Sequence, residues 1–202
     1  MVKKRMRRPP ERARAEILAA AEEALQGCEF NELTVEHLMK RTGMTRSSFY
    51  HYFPSLEDVA VALFDRVEAE LARAVGVWLE GDGGEDPQAD TVVHLTRMFA
   101  MWTQHAVLFR ALQQAAGRSG VAYERWRTRL VDRYIDVTAR FIRRQVAQGR
   151  SRAEHPERLA RALILMNTAV ASDHISHPGA DSPQQVGQTV ADVWNAAIYN
   201  KK

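Results

Sequence analysis

The side chains best suited to bind another molecule lie on one face of a short predicted helix. This face carries four polar groups that can hydrogen-bond bases or phosphates: Arg46, Ser47, Tyr50 and His51. The opposite face carries aromatic residues at the i, i+3, i+4 spacing of a buried helix surface: Phe49, Tyr52 and Phe53. In a DNA major groove, Arg46 is the best candidate for a bidentate contact to guanine. The hydroxyl groups of Thr34, Thr45 and Tyr50 are better suited to phosphate oxygens.

Capping and turn residues around this helix predict the element that positions it. Thr34 is a good N-cap for a helix beginning at Val35, and Thr45 is a good N-cap for the next helix. Between them, Gly43 gives the backbone freedom that a sharp turn needs. Pro54 ends the second helix, and Ser55 with Asp58 predicts a new helix start. Two short helices around a glycine turn, the second with polar residues facing outward, predict a helix-turn-helix DNA reader.

The same residues resemble a known family signature. The segment TVEHL…TGMTRSSFYHYFPSLE is similar to the signature of the tetracycline-repressor (TetR) family of bacterial transcription regulators, over about Arg12 to Leu63. The resemblance implies an all-α fold, operator DNA as a partner, and a homodimer formed through the last two helices. Two positions depart from the usual pattern: Thr42 stands where alanine is common, and Leu56 stands where a lysine often lies near a phosphate.

Composition and charge place further bounds on the protein. The chain has 202 residues, 46% of them hydrophobic, a net charge of +3 and one cysteine. Residues 1–14 hold seven basic side chains against one acidic, which predicts a basic flexible arm over residues 1–11 that includes Lys3, Lys4 and Arg5. The arm either contacts DNA or serves as a solubilising tail. The sequence has no long apolar run and no signal-peptide pattern, and its single cysteine suits a cytoplasmic location.

Hydrophobic periodicity predicts an all-α architecture of about nine helices. We expect a helix-turn-helix domain over residues 12–54 and a ligand-binding and dimerisation domain over residues 55–202. In the predicted helix 157–175, four consecutive apolar residues occupy positions 163–166. A helix that is apolar on more than one side must be buried, either by a second subunit or inside one monomer.

The second half resembles the ethionamide-type repressors, an actinobacterial branch of the same family, through HAVLFRALQQAA, ALILMN and VWNAAIY. This resemblance implies a largely apolar ligand channel lined by Met98, Trp102, Trp126, Leu130, Arg133, Val137, Ile164 and Asn167. A regular helix places Trp126, Leu130, Arg133 and Val137 on one face, as the wall of a channel requires, although such stripes also form closed cores. Buried Asn167 needs a hydrogen-bond partner, either a ligand carbonyl or a backbone group. Arg133 could recognise an acidic ligand end or point to solvent.

Catalysis is the least favoured reading of the sequence. His174 and His177 with Asp173 have a loose metal-like spacing, but a helix end before Pro178 explains them equally well. We expect no enzymatic activity, no cofactor and no metal. The favoured function is a dimeric repressor released from a pseudo-palindromic operator by a small apolar or amphipathic effector. The alternative is a helix-turn-helix regulator with a closed core, controlled by a protein partner or by its abundance.

Overall fold

The computed structural model describes residues 9–81, 84–177, 179 and 181–199, and over these ranges it is all-α with no strand. The first four helices are Pro10–Leu25 (α1), Val35–Thr42 (α2), Arg46–Tyr52 (α3) and Leu56–Glu80 (α4). The next are Pro87–Gln104 (α5), Ala106–Arg118 (α6), Gly120–Trp126 (α7) and Arg133–Ala147 (α8). The last two are Pro156–Ser176 (α9) and Pro183–Tyr199 (α10). The all-α prediction is confirmed, and the described residues give nine α-helices if α7 and α8 are counted as one, besides a short 3₁₀ helix at Phe30–Glu32.

The local signals around α2 and α3 form as the sequence predicts. The Thr34 hydroxyl accepts a hydrogen bond from the His37 amide at 3.2 Å, and the Thr45 hydroxyl accepts one from the Ser48 amide at 3.2 Å. Gly43 ends α2 with φ +63°, a left-handed backbone conformation that residues with a side chain rarely adopt. The two helices are therefore fixed in register by three residues close together in the sequence.

A long helix, α4, connects this region to the rest of the molecule. The Ser55 hydroxyl accepts from the Asp58 amide at 3.2 Å and donates to the Asp58 carboxylate at 2.8 Å, so the predicted helix start is present. Asp58 also forms an ion pair with Arg125 of α7. A second ion pair joins Glu57 to Arg118 of α6 at 3.5 Å. The start of α4 is thus held by the body of the protein directly after α3 ends.

A π-helical segment, Arg127–Asp132, lies between α7 and α8. The sequence predicts one regular helix over this region, and this prediction is wrong because the π segment interrupts it. A π turn holds about one residue more than an α turn. The extra residue shifts the inward positions within and directly after this segment along by one. Val131, Tyr134 and Thr138 are buried, one position beyond each of Leu130, Arg133 and Val137.

Helix α10 packs closely along α5. Gly187 lies at this contact, where an added Cβ would be 2.6 Å from the Cα of Thr96. Only a glycine allows the two backbones to approach this closely. Helices α9 and α10 are joined by a buried hydrogen bond in which Nε1 of Trp194 donates to Oδ1 of Asn167 at 2.9 Å. None of the described helices is long and apolar enough to cross a membrane.

Candidate nucleic-acid interface and internal cavity

The structure places the four predicted polar side chains of α3 on its exposed surface. Arg46, Ser47, Tyr50 and His51 are all exposed, and Tyr50 is 48% exposed despite its large ring. On the inner side, Phe49 and Phe53 are 0% and 2% exposed, whereas Tyr52 is half-buried. Burial of the aromatic face thus orients the polar face outward as a unit.

Arg46 and Tyr50 contact each other along this surface. A guanidinium nitrogen of Arg46 donates to the Tyr50 hydroxyl at 3.3 Å, and the guanidinium carbon lies 5.7 Å from the ring centroid. The two residues are one helical turn apart, so this contact is local. It holds the long arginine side chain along the helix and leaves fewer conformations open to its planar fork of donors.

The two capping threonines keep a hydrogen-bond donor for a second partner. Thr34 and Thr45 are exposed, and each uses an oxygen lone pair to accept a backbone amide. A hydroxyl that accepts at one lone pair still has its proton to donate. The Thr34 proton is therefore available to a second acceptor, and the Thr45 proton is available when Ser48 donates in their 2.9 Å contact. Lys3, Lys4 and Arg5 lie outside the described residues.

An internal cavity lies in the helical body, between α4, α5, α6, the α7–α8 segment, α9 and α10. Its volume is about 40 Å³. Five of the eight residues implied as channel lining surround it: Met98, Trp102, Trp126, Ile164 and Asn167. The remaining lining residues are Trp78, Leu79, Leu95, Phe109, Val131, Tyr134, Thr168 and Trp194.

Arg133 and Val137 are not among the residues that surround the cavity. Arg133 is exposed and donates to the carboxylate of Glu68 at 2.9 Å, while Val137 is half-buried outside the lining. The π segment accounts for this, because its extra residue brings Val131 and Tyr134 to the cavity instead. The side chain of Leu130 lies outside the described part of the chain.

The polar groups of the cavity differ in how they are satisfied. Asn167, which is 2% exposed, has its carbonyl oxygen occupied by the indole N–H of Trp194. Burial raises the pKa of Tyr134 to about 12, against a lowering effect of the Arg133 charge. The phenol is therefore protonated at neutral pH. Trp78, at the end of α4, stacks on His94 with ring centroids 5.2 Å apart.

The sequence predicts Asn167 and Trp126 as residues that line the cavity, but it does not predict that α4 contributes to the lining. Trp78 lies 24 residues before Trp102, and nothing in its local pattern shows which element it faces. In the sequence, Tyr134 and Trp194 lie at helical spacing from other apolar residues of their helices, which is the only local sign that they point inward.

Helices α9 and α10 leave an apolar surface exposed. Leu165 of α9 is 39% exposed and Val193 of α10 is 45% exposed, and Ala162, Ala169 and Ala196 are exposed beside them. A groove of about 440 Å³ runs between the two helices and is lined by Met166, Val170 and Val186 together with Asp173, His174 and His177. Among the described residues, no group of three or more His, Cys, Asp or Glu side chains is placed to hold a metal ion.

A helix-turn-helix with an outward polar face, attached to a helical body that encloses a cavity, defines a DNA-binding transcriptional regulator. Residues 17–63 match the family described as "Bacterial regulatory proteins, tetR family", and residues 91–200 match "Transcriptional regulator EthR, C-terminal domain". The chain belongs to the TetR family of transcriptional regulators, and its second half is of the EthR type.

Similar proteins agree with this assignment. The HTH-type transcriptional regulator EthR of Mycobacterium tuberculosis (strain ATCC 25618 / H37Rv) is 31% identical over 188 residues, which cover 92% of this chain and 86% of that protein. EthR of Mycolicibacterium smegmatis is also 31% identical, over 192 residues, with 92% and 85% covered. SmeT, the repressor of the Stenotrophomonas maltophilia multidrug efflux pump SmeDEF, shares the fold with a TM-score of 0.72 and 22% identity, covering 93% of this chain and 91% of its own.

Proposed function

We propose that this protein is a dimeric repressor that binds a pseudo-palindromic operator and is released by a small, largely apolar effector. The observation that carries the DNA part is the exposed face of α3, where Arg46, Ser47, Tyr50 and His51 are presented together. Residues 12–54 would serve as the reader, and residues 55–202 would bind the effector and the second subunit. A cytoplasmic location follows from this role, because the operator must be reachable.

In this proposal the outward residues divide between bases and phosphates. Arg46 would contact a guanine edge in the major groove, with Ser47 and His51 beside it. Thr34, Thr45 and Tyr50 would donate to phosphates, and Lys3, Lys4 and Arg5 would add charge along the backbone or in the minor groove. One reader helix covers only a few base pairs, so two readers held by a dimer are needed for a specific site.

Selection from a random duplex library tests the DNA role. We expect the wild-type protein to enrich a two-fold-symmetric sequence. Arg46→Ala is expected to lose about 5- to 100-fold of discrimination at one base pair of each half-site, while its affinity for random duplex changes little. Arg140→Ala removes one exposed arginine from α8 and serves as the matched control. Equal losses on cognate and random DNA for Arg46→Ala would contradict the assignment of this residue to a base.

The apolar surface of α9 and α10 supports dimerisation through these two helices. Exposed Leu165 and Val193 would be covered by the same surface of a second copy, as a two-fold interface requires. Leu165→Glu is expected to convert the protein to monomers in analytical ultracentrifugation and to abolish specific duplex binding. Val146→Glu on α8 is the control, because Val146 has a similar exposed fraction of 37%. A Leu165→Glu protein that remains dimeric would exclude this interface.

The cavity supports the effector part of the proposal. The cavity lies beside the end of α7, because Trp126 is one of its lining residues. The preceding residue, Arg125, forms an ion pair with Asp58 at the start of α4. A molecule that widens the cavity would therefore act on the contact that holds α4 behind the reader. SmeT has been crystallised as a complex with triclosan, and it shares the fold at 23% identity and a TM-score of 0.70.

The small cavity volume also favours the second candidate, a regulator with a closed core. Ligand sites of drug-sized molecules have volumes of roughly 300–1,000 Å³, whereas this cavity has about 40 Å³. If the core stays closed, control would come from a protein partner or from abundance. Stabilisation by small apolar molecules, combined with loss of duplex binding, separates the effector mechanism from this alternative.

A further inference from the structure

Three buried hydrogen-bond donors line the cavity. They are Nε1 of Trp78, Nε1 of Trp102 and the hydroxyl of Tyr134, and none of them has a hydrogen-bond partner among the described residues. Their side chains are only 5%, 8% and 9% exposed. Buried polar groups are normally paired, and an indole N–H can only donate. From this arrangement we infer that the effector is an uncharged molecule that presents hydrogen-bond acceptors, such as carbonyl, ester or sulfonyl oxygens.

Oδ1 of Asn167 accepts from Trp194, which ties this amide to the contact between α9 and α10. The amide NH₂ group of Asn167 is the part of this side chain that could donate to a ligand carbonyl. Trp78, Trp102 and Tyr134 add three further donors, for which the described residues supply no acceptor. These three residues come from α4, α5 and the start of α8, so elements distant in the sequence contribute the donors.

The lining excludes charged effectors. None of the described residues that surround the cavity carries a charge, and Arg133 is turned away toward Glu68. A carboxylate or an ammonium would lose its hydration here without gaining an opposite charge. Because burial raises the pKa of Tyr134 to about 12, the phenol keeps its proton and remains a donor. This inference rests on the proposed effector role of the cavity.

A pair of matched probes tests the inference on the full-length protein. Acetophenone carries a carbonyl, and α-methylstyrene has nearly the same shape with a CH₂ group in place of the oxygen. Both are small, which suits a cavity that must widen to admit a single ring. In isothermal titration calorimetry we expect acetophenone to bind about 3- to 10-fold more tightly than α-methylstyrene, the range typical of one net hydrogen bond. Benzoate, the anionic relative, is expected not to bind.

Conservative variants test whether these donors cause the preference for acetophenone over α-methylstyrene. Tyr134→Phe and Trp102→Phe each remove one donor, and we expect each to lower the ratio of acetophenone to α-methylstyrene affinity. The ratio cancels the change of cavity shape, because both probes experience the same altered walls. Tyr199→Phe removes a buried phenol of α10 that is not among the residues lining the cavity, and it is expected to leave the ratio unchanged. Circular dichroism confirms that each variant is folded before its titration.

The outcomes separate this inference from the function on which it rests. Equal affinity of the two neutral probes for the wild-type protein, or binding of benzoate, overturns the inference but leaves the cavity as an effector site. A preference for acetophenone that neither variant reduces overturns the assignment to these donors. If neither neutral probe binds, the effector role and the inference fail together.

Discussion

The buried bond between Trp194 and Asn167 has a measurable energetic consequence. The two groups are 2.9 Å apart, and their side chains are 1% and 2% exposed. Asn167→Leu keeps the side-chain volume but removes the acceptor, which leaves a buried indole N–H unpaired. This is expected to lower the free energy of unfolding by about 1–3 kcal/mol. For a chain of this size, the melting temperature would fall by roughly 2–12 °C.

A double-mutant cycle isolates the bond from other effects of the substitution. Trp194→Phe removes the donor, so adding it to Asn167→Leu no longer creates an unpaired group. The double variant is expected to be more stable than the sum of the single effects by about 1–2 kcal/mol. The four proteins are compared by urea denaturation at one protein concentration, because dimerisation couples stability to concentration.

A control pair checks that the coupling is specific. Leu38→Ala removes buried apolar atoms from α2 of the reader, and Leu38 is not among the residues that line the cavity. Its combination with Asn167→Leu is expected to be additive within about 0.5 kcal/mol. If Trp194→Phe and Asn167→Leu are equally additive, the hydrogen bond contributes nothing to stability. Asn167 would then be free for another partner.

Three further predictions follow from the packing, the tyrosines and the ion pairs. Gly187→Ala places a Cβ 2.6 Å from a backbone atom and is expected to lower the free energy of unfolding by about 1–2 kcal/mol. Gly117→Ala is the control, because among the described residues its added Cβ would meet no atom of another helix within 4 Å. It is expected to be neutral or stabilising in thermal melts. Because the pKa of Tyr134 is raised to about 12, the folded state favours the neutral phenol over the phenolate. The stability that depends on the neutral phenol is fully present below about pH 10 and is lost as the pH rises through about 12. The stability difference between wild type and Tyr134→Phe is therefore expected to shift by roughly 3 kcal/mol over this interval, and a constant difference would contradict a buried neutral phenol. Arg125→Ala is expected to cost at most about 1 kcal/mol of stability. It is also expected to weaken the effect of acetophenone on operator affinity, measured by fluorescence anisotropy. An unchanged effect would exclude the ion pair between Arg125 and Asp58 as the link between the cavity and the reader.

Much of the reader could be predicted from the sequence because its determinants are local. Each cap joins residues three positions apart, as between Thr34 and His37, and the turn depends on the single residue Gly43. The apolar lining of the cavity was predictable only in part. The sequence predicts an apolar stripe on the helix after Gly120, but it does not predict that Arg133 and Val137 lie outside the cavity lining, because the π segment has no clear local signal.

The sequence by itself therefore determined the helical class, the reader and the polar face of α3, since these depend on periodicity and on neighbours within one or two turns. Only the tertiary structure decided which side chains meet in the cavity, that Tyr134 rather than Arg133 faces it, and that Asn167 pairs with Trp194. The physical reason is the distance along the chain. Trp78, Trp102 and Tyr134 belong to separate helices, and only the packing of those helices brings their donors to one cavity.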